Sequence, residues 1–207
     1  MEFKPFPKLS RWSRDIMITE KIDGTNASIH IRPYGREDYD PALDIAVQTG
    51  SGAFTIRAGS RTRWISPGDD NYSFAGWVHS NAADLARLGA GHHFGEWWGR
   101  GVQRNYSQSR KRFSLFNAGR WAAPGKCVLD GQESPPECCD VVPVLYSGPN
   151  YQADIEKTVR QLRELGSVAA PGFMQPEGIV IFHSASQTSY KKTIMHDEYP
   201  KSLVKPG

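Results

Sequence analysis

The stretch Glu20-Lys21-Ile22-Asp23-Gly24-Thr25-Asn26 places one lysine between two carboxylates, directly before a glycine. The residues on either side, 15–20 and 26–32, have the composition and alternation of β-strands, and the second strand puts three apolar side chains on one face: Ala27, Ile29 and Ile31. A solvated lysine is almost wholly protonated at neutral pH, so a nucleophilic lysine needs surroundings that remove its proton. The stretch therefore has two interpretations: a surface hairpin with an Asp-Gly turn, or a reactive lysine at the mouth of a strand–turn–strand unit.

The composition is that of a folded globular protein. The chain has 207 residues, of which 39% are hydrophobic and 11% aromatic, so it can bury a substantial core and we predict a single domain over residues 1–207. No apolar run approaches the ~18 residues that a membrane span requires, and the N-terminus lacks the apolar core of a secretory signal. The three cysteines, Cys127, Cys138 and Cys139, suit neither a disulfide framework nor paired zinc ligands, so a cytoplasmic location is expected.

The distribution of basic residues indicates more than the net charge of +3, which is too small to imply an anionic partner. From Arg100 to Arg112 there are five basic residues and no acidic one, with Gln103, Asn105 and other polar side chains between them. Such a mixture suits phosphate and sugar contacts, although a solvated face is the simpler explanation of an isolated charge run. A second basic cluster contains Arg57, Arg61 and Arg63.

The pattern of elements favours an α+β fold. Strand-like segments occur at nine places: 15–20, 26–32, 44–48, 53–58, 93–98, 113–117, 140–146, 178–183 and 188–194. Two helices are predicted, from about Tyr72 to Leu88 with Asn71 as N-cap, and from about Tyr151 to Leu165 with Gly166 as the stop. Many short strands with two helices indicate antiparallel sheets with flanking helices rather than a doubly wound parallel sheet. Residues 122–136, rich in Pro, Gly and polar residues, are expected to form an exposed loop.

Six short segments, in their order along the chain, resemble the motifs of the covalent nucleotidyltransferase superfamily of RNA ligases, DNA ligases and mRNA capping enzymes. Lys21-Ile22-Asp23-Gly24 matches the nucleophile motif Lys-x-Asp-Gly, and the others are Ser60-Arg61, Phe94-Gly95-Glu96, the aromatic strand Phe113–Asn117, Glu177-Gly178-Ile179-Val180 and Lys191/Lys192. Lys-x-Asp-Gly alone is a weak signal, but the ordered set over residues 19 to 193 is a specific one. The resemblance implies an adenylyltransferase (ATP-grasp-like) domain.

Within the superfamily, the chain is most similar to the RNA ligases. Asn26, the Gly95-Glu96-Trp97 form of the third motif and the short chain are the features that point there. DNA ligases and capping enzymes of this class carry an oligonucleotide-binding (OB) domain after the fifth motif. Only about fifteen residues follow Lys192, so no OB domain is expected.

The resemblance implies the chemistry of an ATP-dependent RNA ligase. Lys21 would attack the α-phosphorus of ATP, expel pyrophosphate and hold AMP as lysyl-AMP. The AMP would then pass to a 5′-phosphate end of RNA, and a 3′-hydroxyl would displace it to seal the strand. Lys191 or Lys192 would contact the α-phosphate, Lys191 being the first choice. Glu177 would bind Mg²⁺ or Mn²⁺, which prefer oxygen ligands.

The resemblance also implies roles in nucleotide and strand binding. Glu96 would accept the ribose hydroxyls, Arg61 would contact the sugar–phosphate, and Phe116 (or Phe113) would stack on adenine. Backbone groups around Glu20 would contact the adenine edge, Asp23 and Gly24 would shape the turn, and Asn26 would contact the phosphate or the acceptor end. Three residues would grip the polynucleotide in a salt-dependent way: Arg100, Gln103 and Arg104.

Three alternatives stay open at this point. The chain could be a stand-alone nucleotidyltransferase with another acceptor or with GTP, a DNA-ligase-like enzyme, or a catalytically inactive nucleic-acid-binding module of the same fold. The expected partner is RNA, with DNA as the alternative, and no membrane is expected. A protein partner or a separate nucleic-acid-binding domain could complete the sealing activity.

Overall fold

The computed structural model describes residues 2–123 and 131–198. It divides into two compact units. The first contains the chain up to Lys21 and from Val144 onward, and the second contains Ile22–Pro143. This division does not test the prediction of a single domain over residues 1–207.

Eleven strands and three α-helices form in the described residues. The strands are β1 (Asp15–Lys21), β2 (Thr25–Pro33), β3 (Asp44–Thr49), β4 (Gly52–Ser60), β5 (Trp64–Ile65), β6 (Gly91–Gly99), β7 (Lys111–Leu115), β8 (Cys139–Val141), β9 (Val144–Pro149), β10 (Gly178–His183) and β11 (Thr188–Thr193). The helices are α1 (Phe74–Ser80), α2 (Ala82–Leu85) and α3 (Gln152–Leu165), and a 3₁₀ turn spans Ala86–Leu88. No helix of the described part combines the length and the apolar character needed to cross a membrane.

The first unit is a four-stranded antiparallel sheet in the order β11-β10-β1-β9, covered on one face by α3. The core between sheet and helix consists of Ile16, Ile18, Ile155, Val159, Leu162 and Ile179. Because side chains alternate along a strand, β1 turns Ile16, Ile18 and Glu20 into this core. Its other face carries Lys21, which is therefore half-buried rather than enclosed.

The second unit is a larger sheet in the order β3-β4-β2-β6-β7-β8, with β5 paired to β4. Its neighbours are antiparallel except for β7 and β8. The face that carries Ala27, Ile29 and Ile31 is buried, as the alternation predicts. Phe74 of α1 packs on this core, with its ring centroid 5.3 Å from that of Trp97 and 5.2 Å from that of Phe113.

The predicted α+β class with largely antiparallel sheets is confirmed, and the strands differ from the sequence-based expectations in three respects, the first being the hairpin interpretation of the stretch around Lys21. β1 and β2 do not form a hairpin, because β1 pairs with β9 and β10 while β2 pairs with β4 and β6. The strand predicted over 140–146 is two strands, β8 and β9, separated by Val142-Pro143. Strand β5 was not predicted, because its two residues are too short to show a pattern.

The first predicted helix is also corrected. It begins at Phe74 and is interrupted at Asn81, which separates α1 from α2. Asn71 is not its N-cap, since Asn71 Nδ2 donates to Thr25 Oγ1 instead. The amides of the first turn donate to the Asp70 carboxylate, at 2.8 Å for Ala75 and 3.0 Å for Gly76.

The second predicted helix forms as α3, with Gly166 following it as predicted, and its last residue, Leu165, is exposed. Cys127 and residues 124–130 of the predicted loop lie outside the described residues, while Cys138 and Cys139 are free thiols.

Candidate functional site

The predicted site residues fall into two groups, one on each unit. The first unit holds Glu20, Lys21, Glu177, Lys191 and Lys192. The second holds Asp23, Gly24, Asn26, Arg61, Glu96, Arg100, Gln103, Arg104 and Phe116. The chain passes from the first unit to the second between Lys21 and Ile22, in the middle of the Lys-x-Asp-Gly motif.

Lys21 forms an ion pair with Glu177 within the first unit. Lys21 lies opposite Gly178 in the β1–β10 ladder, so the end of β1 comes level with the start of β10. Its Nζ donates to Glu177 Oε2 at 2.6 Å, and the two side chains are 25% and 8% exposed. Gly178 is needed here because a Cβ on it would lie 2.7 Å from the Cα of Thr193. The fold thus fixes a lysine amine against a buried carboxylate at the end of a strand.

Strand register separates the two candidate lysines on β11. Lys191 is paired with Val180, which lies two residues from Gly178 and so on the same face of the sheet as Lys21. Lys192 is paired with Ile179 and lies on the α3 face, where its Nζ is 3.4 Å from Asp197 Oδ2. Lys191 is therefore the lysine that shares a face with Lys21.

Glu20 has a structural environment that the sequence did not predict. Its carboxylate, 1% exposed, accepts hydrogen bonds from Ser167 Oγ at 2.6 Å and from the backbone amides of Val168 and Ala169 at 2.8 and 2.9 Å. Burial raises the pKa of the Glu20 carboxyl, and these three hydrogen bonds oppose the rise without cancelling it. Glu20 therefore ties the residues after α3 to β1, next to Lys21.

Glu96 organises the glycine turn in the second unit. Its Oε1 accepts the Gly24 amide at 3.0 Å and its Oε2 accepts Asn26 Nδ2 at 3.1 Å. Asn26 and Glu96 are direct partners in the β2–β6 ladder, which explains why they meet. Gly24 packs too closely for a side chain, since a Cβ there would lie 2.7 Å from the Cβ of Trp98. The glycine of the motif is thus required by close approach.

Asp23 is held by the loop that follows β6. Its amide donates to the Tyr106 hydroxyl at 2.9 Å, and its Oδ2 accepts Arg104 Nε at 2.9 Å. Tyr106 is fully buried, and it belongs to a run with left-handed backbone angles at Gln103 (φ 43°), Asn105 (φ 62°), Tyr106 (φ 47°) and Ser107 (φ 51°). Such angles are costly for non-glycine residues and persist where the surroundings enforce them.

The basic run is therefore not uniformly a solvated face. Arg104, predicted to grip the polynucleotide, forms an ion pair with Asp23, whereas Arg100 is exposed. Tyr106 belongs to the polar stretch that suggested phosphate and sugar contacts, but its contact with Asp23 was not predicted, because no glycine marks the left-handed turn that brings them together. The stretch of polar residues from Gln103 to Ser107 was the only available signal.

The two aromatic candidates for base stacking have different environments. Phe116 is 41% exposed just beyond β7, whereas Phe113 is fully buried. Arg61 is exposed in a turn that the Ser60 amide closes by donating to the Arg63 carbonyl at 2.8 Å. Of the two phenylalanines, Phe116 is the one available to a ligand.

The side chains present fit a divalent cation at Glu177 only with ligands from outside the chain. Among the described residues there is no group of three or more His, Cys, Asp or Glu side chains that could hold a metal by themselves. Mg²⁺, however, is usually bound by one or two carboxylates together with phosphate and water oxygens. Glu177 Oε1 accepts no hydrogen bond from any described residue, so this carboxylate could supply one such ligand.

Solved structures of similar fold include RNA ligases from Naegleria gruberi. The chain superposes on an RNA ligase from Naegleria gruberi without ligand (TM-score 0.51, 18% identity), covering 87% of this chain and 50% of that one. Structures of an RNA ligase from the same organism with AMP and Mn (TM-score 0.51, 16% identity, 88% and 50% coverage) and with ATP and Mn (TM-score 0.50, 16% identity, 87% and 50% coverage) match similarly. The chain thus spans about half the length of these ligases. Among curated protein sequences, none matches it.

A family model covers nearly the whole chain. The model described as RNA ligase matches residues 14–193, which include β1 through β11 and every candidate residue named above. The superfamily resemblance inferred from the ordered motifs is confirmed by this match. The chain belongs to the RNA ligase family.

Proposed function

We propose that this protein is an ATP-dependent RNA ligase that forms lysyl-AMP on Lys21. The observation that carries the proposal is the 2.6 Å ion pair between Lys21 Nζ and the buried Glu177, which holds the amine in one position at the end of β1. A hairpin lysine would need no such partner. Catalysis of phosphoryl transfer consists mainly of positioning and charge stabilisation, and a fixed amine satisfies the first requirement.

In the first step, Lys21 Nζ attacks the α-phosphorus of ATP. Nζ, an ammonium in the ion pair, first gives up one proton, and Glu177 Oε2 is positioned to receive it because it already accepts a hydrogen bond from Nζ. A nitrogen–phosphorus bond then forms, the bond from the α-phosphorus to the bridging oxygen of pyrophosphate breaks, and Nζ releases its second proton to solvent. Lys191, on the same sheet face, contacts the α-phosphate, and Lys192 stays with Asp197.

Glu177 is also the residue that would hold Mg²⁺ or Mn²⁺. When bound, the cation would neutralise charge on the α-phosphate. The structures of the Naegleria ligase with ATP or AMP contain Mn, which supports a divalent cation for this family member too.

The second unit contributes nucleotide contacts in this proposal. Glu96, which already accepts the Gly24 amide and Asn26 Nδ2 at the glycine turn, accepts the ribose hydroxyls. Arg61 contacts the sugar–phosphate and Phe116 stacks on adenine. Asp23 and Gly24 keep the turn after Lys21 in shape, Asn26 contacts the phosphate or acceptor end, and the Glu20 backbone contacts the adenine edge.

The same chain would carry out the two later steps on RNA. AMP passes from Lys21 to a 5′-phosphate, and a 3′-hydroxyl then displaces AMP. Because the chain spans about half the length of the Naegleria ligase, sealing could require a partner protein or a separate nucleic-acid-binding domain. The ATP-grasp-like single domain without an OB domain, and the cytoplasmic location, remain predictions.

One experiment tests the proposal against its alternatives. Protein is incubated with α-phosphate-labelled ATP or GTP and Mg²⁺ or Mn²⁺, then chased with 5′-phosphorylated nicked and single-stranded RNA and DNA. The proposal predicts protein label from ATP, and its transfer to RNA. Label from GTP alone would indicate a different nucleotidyltransferase, and transfer to DNA alone a DNA-ligase-like enzyme. No label under any condition would favour a binding module.

A further inference from the structure

Four aromatic rings form a continuous strip on the sheet of the second unit, three of them exposed and one, His30, half-buried. The strip consists of His30, Trp64, His92 and Phe94. Ring centroids are 4.3 Å apart for His30 and His92, 5.9 Å for His30 and Trp64, 5.6 Å for Trp64 and His92, and 5.3 Å for His92 and Phe94. Trp64 is 37% exposed and Phe94 56% exposed. The exposed rings of Trp64, His92 and Phe94 thus lie next to one another at the surface.

The register of neighbouring strands brings these rings together. His30 and His92 are direct partners in the β2–β6 ladder, and Gly59 of β4 is the partner of Trp64. The ring of Trp64 lies over Gly59, since a Cβ on that glycine would be 3.2 Å from the ring. The absence of a side chain on Gly59 therefore leaves room for the indole.

Cationic side chains border the strip. The Arg57 guanidinium lies 5.5 Å from the centre of the Trp64 ring, and Asp44 fixes it with hydrogen bonds of 2.7 and 2.8 Å. Arg61, three residues before Trp64, is exposed and forms no ion pair within the described residues. Phosphate groups that pass beside the strip would meet positive charge.

The strip continues from the residues proposed to bind the nucleotide. Phe94 precedes Glu96 by two residues on β6, so the two side chains lie on one face of the sheet. The Phe94 carbonyl also accepts the Phe116 amide at 2.9 Å, so the exposed Phe116 follows directly from this strand pair.

We propose that this strip stacks unpaired nucleobases of the RNA strand, while Arg57 contacts its phosphates. Every base has a π-face, so aromatic platforms bordered by cations bind single strands with little sequence preference. The identification of the strand as RNA rests on the proposed function, whereas the stacking itself rests on the four rings. An apolar protein surface would offer no negative charge to the arginines that border the strip.

The test measures fluorescence anisotropy of a labelled single-stranded oligoribonucleotide and of an abasic ribose–phosphate strand of equal length. The full chain is compared with Trp64→Ala and His92→Ala, with Trp64→Phe as a ring-preserving variant and Tyr34→Ala as an exposed aromatic control in the same unit. We expect Trp64→Ala and His92→Ala each to weaken binding of the base-bearing strand about tenfold and to leave the abasic strand unchanged. Trp64→Phe and Tyr34→Ala should bind both strands as the wild type does.

Two results would overturn the inference. Equal weakening on both strands would mean that the variants act through folding or charge, and unchanged binding of the base-bearing strand would mean that bases do not stack there. Lysyl-AMP formation is measured on the same samples to separate the two proposals. If the wild type forms no lysyl-AMP, but Trp64→Ala and His92→Ala still weaken binding of the base-bearing strand only, the proposed function is contradicted and the stacking inference stands.

Discussion

At the residue scale, the partner of Lys21 distinguishes it from the other lysines. Among the lysines of the described residues, two form ion pairs with carboxylates: Lys21 with Glu177 at 2.6 Å and Lys192 with Asp197 at 3.4 Å. Of these two carboxylates, only that of Glu177 is buried. Exposed pairs of the second kind contribute little to stability. A pair with a buried carboxylate fixes both atoms, so it positions the amine for attack and places a proton acceptor beside it.

The substitution Glu177→Gln tests this pair. It keeps the shape of the side chain but removes the oxygen that can accept the Lys21 proton, so we expect the rate of lysyl-AMP formation to fall about 10²-fold or more. The measurement is a single-turnover assay with labelled ATP.

Glu164→Gln is the matched control, because Glu164 is an exposed glutamate on α3 of the same unit. The control should react like the wild type. An unchanged rate in Glu177→Gln would exclude the proposed proton acceptor.

At the element scale, β1 places neighbouring glutamate and lysine side chains on opposite faces of one sheet. Glu20 faces the core under α3 and Lys21 faces away from it. The same alternation on β11 separates Lys191 from Lys192.

This alternation predicts different effects for two adjacent lysines. We expect Lys191→Ala to slow lysyl-AMP formation strongly, because Lys191 shares a face with Lys21 and can contact the phosphate. Lys192→Ala should have a small effect, since Lys192 lies on the other face beside Asp197. The same single-turnover assay compares the two. A larger loss in Lys192→Ala than in Lys191→Ala would refute the assignment made from strand register.

The buried Glu20 predicts a pH dependence of stability. Burial holds the pKa of its carboxyl above the ordinary value. Between those two values the native state retains a proton that the unfolded chain has lost, so the free energy of unfolding falls as the pH rises through this interval. Each unit of pKa difference corresponds to about 1.4 kcal/mol.

Glu20→Gln cannot lose that proton and should lack this part of the decrease. Urea unfolding of both proteins at a series of pH values from the ordinary carboxyl pKa to neutrality measures the effect. Relative to the variant, the wild type should lose stability as the pH rises. A gain in relative stability over the same interval would show that the hydrogen bonds from Ser167, Val168 and Ala169 outweigh burial.

The sequence predicted elements better than their pairing. Alternation marked most strands to within a few residues, because each of them has one buried face. It could not show that β1 and β2 belong to different ladders, since a short Asp-Gly connection normally indicates a hairpin. The predicted first helix was too long because the apolar pattern continues through Asn81, where the backbone leaves the helical region (φ −114°, ψ 14°).

The same limit applies to the candidate site. Lys21, Glu96 and Glu177 stand in motifs of characteristic spacing, so the sequence could identify them. Tyr106 reaches Asp23 through a left-handed turn without glycine, and Ser167 reaches Glu20 from 147 residues away. Neither contact leaves a local pattern in the chain.

At the scale of the whole molecule, two units share one family signature. The chain changes unit at Lys21–Ile22 and again at Pro143–Val144, while the RNA ligase model spans residues 14–193 without a break. Each unit supplies residues that the proposed reaction needs. The activity is therefore proposed for the chain as a whole.

Strand binding by the whole chain should depend steeply on salt. Phosphate contacts release counterions, so the logarithm of affinity should fall linearly with the logarithm of salt concentration. Removing the exposed cation in Arg100→Ala should reduce the magnitude of that slope by about one. Titration of a single-stranded oligoribonucleotide at several salt concentrations gives the slope. A slope near zero for the wild type would contradict a polynucleotide substrate.

The measurement that tests the central claim most directly is peptide mapping of the protein after incubation with ATP and a divalent cation. The account predicts AMP on the peptide that contains Lys21, bound through an acid-labile nitrogen–phosphorus bond, and no AMP on Lys21→Ala. AMP attached to another residue, or retained in Lys21→Ala, would contradict it.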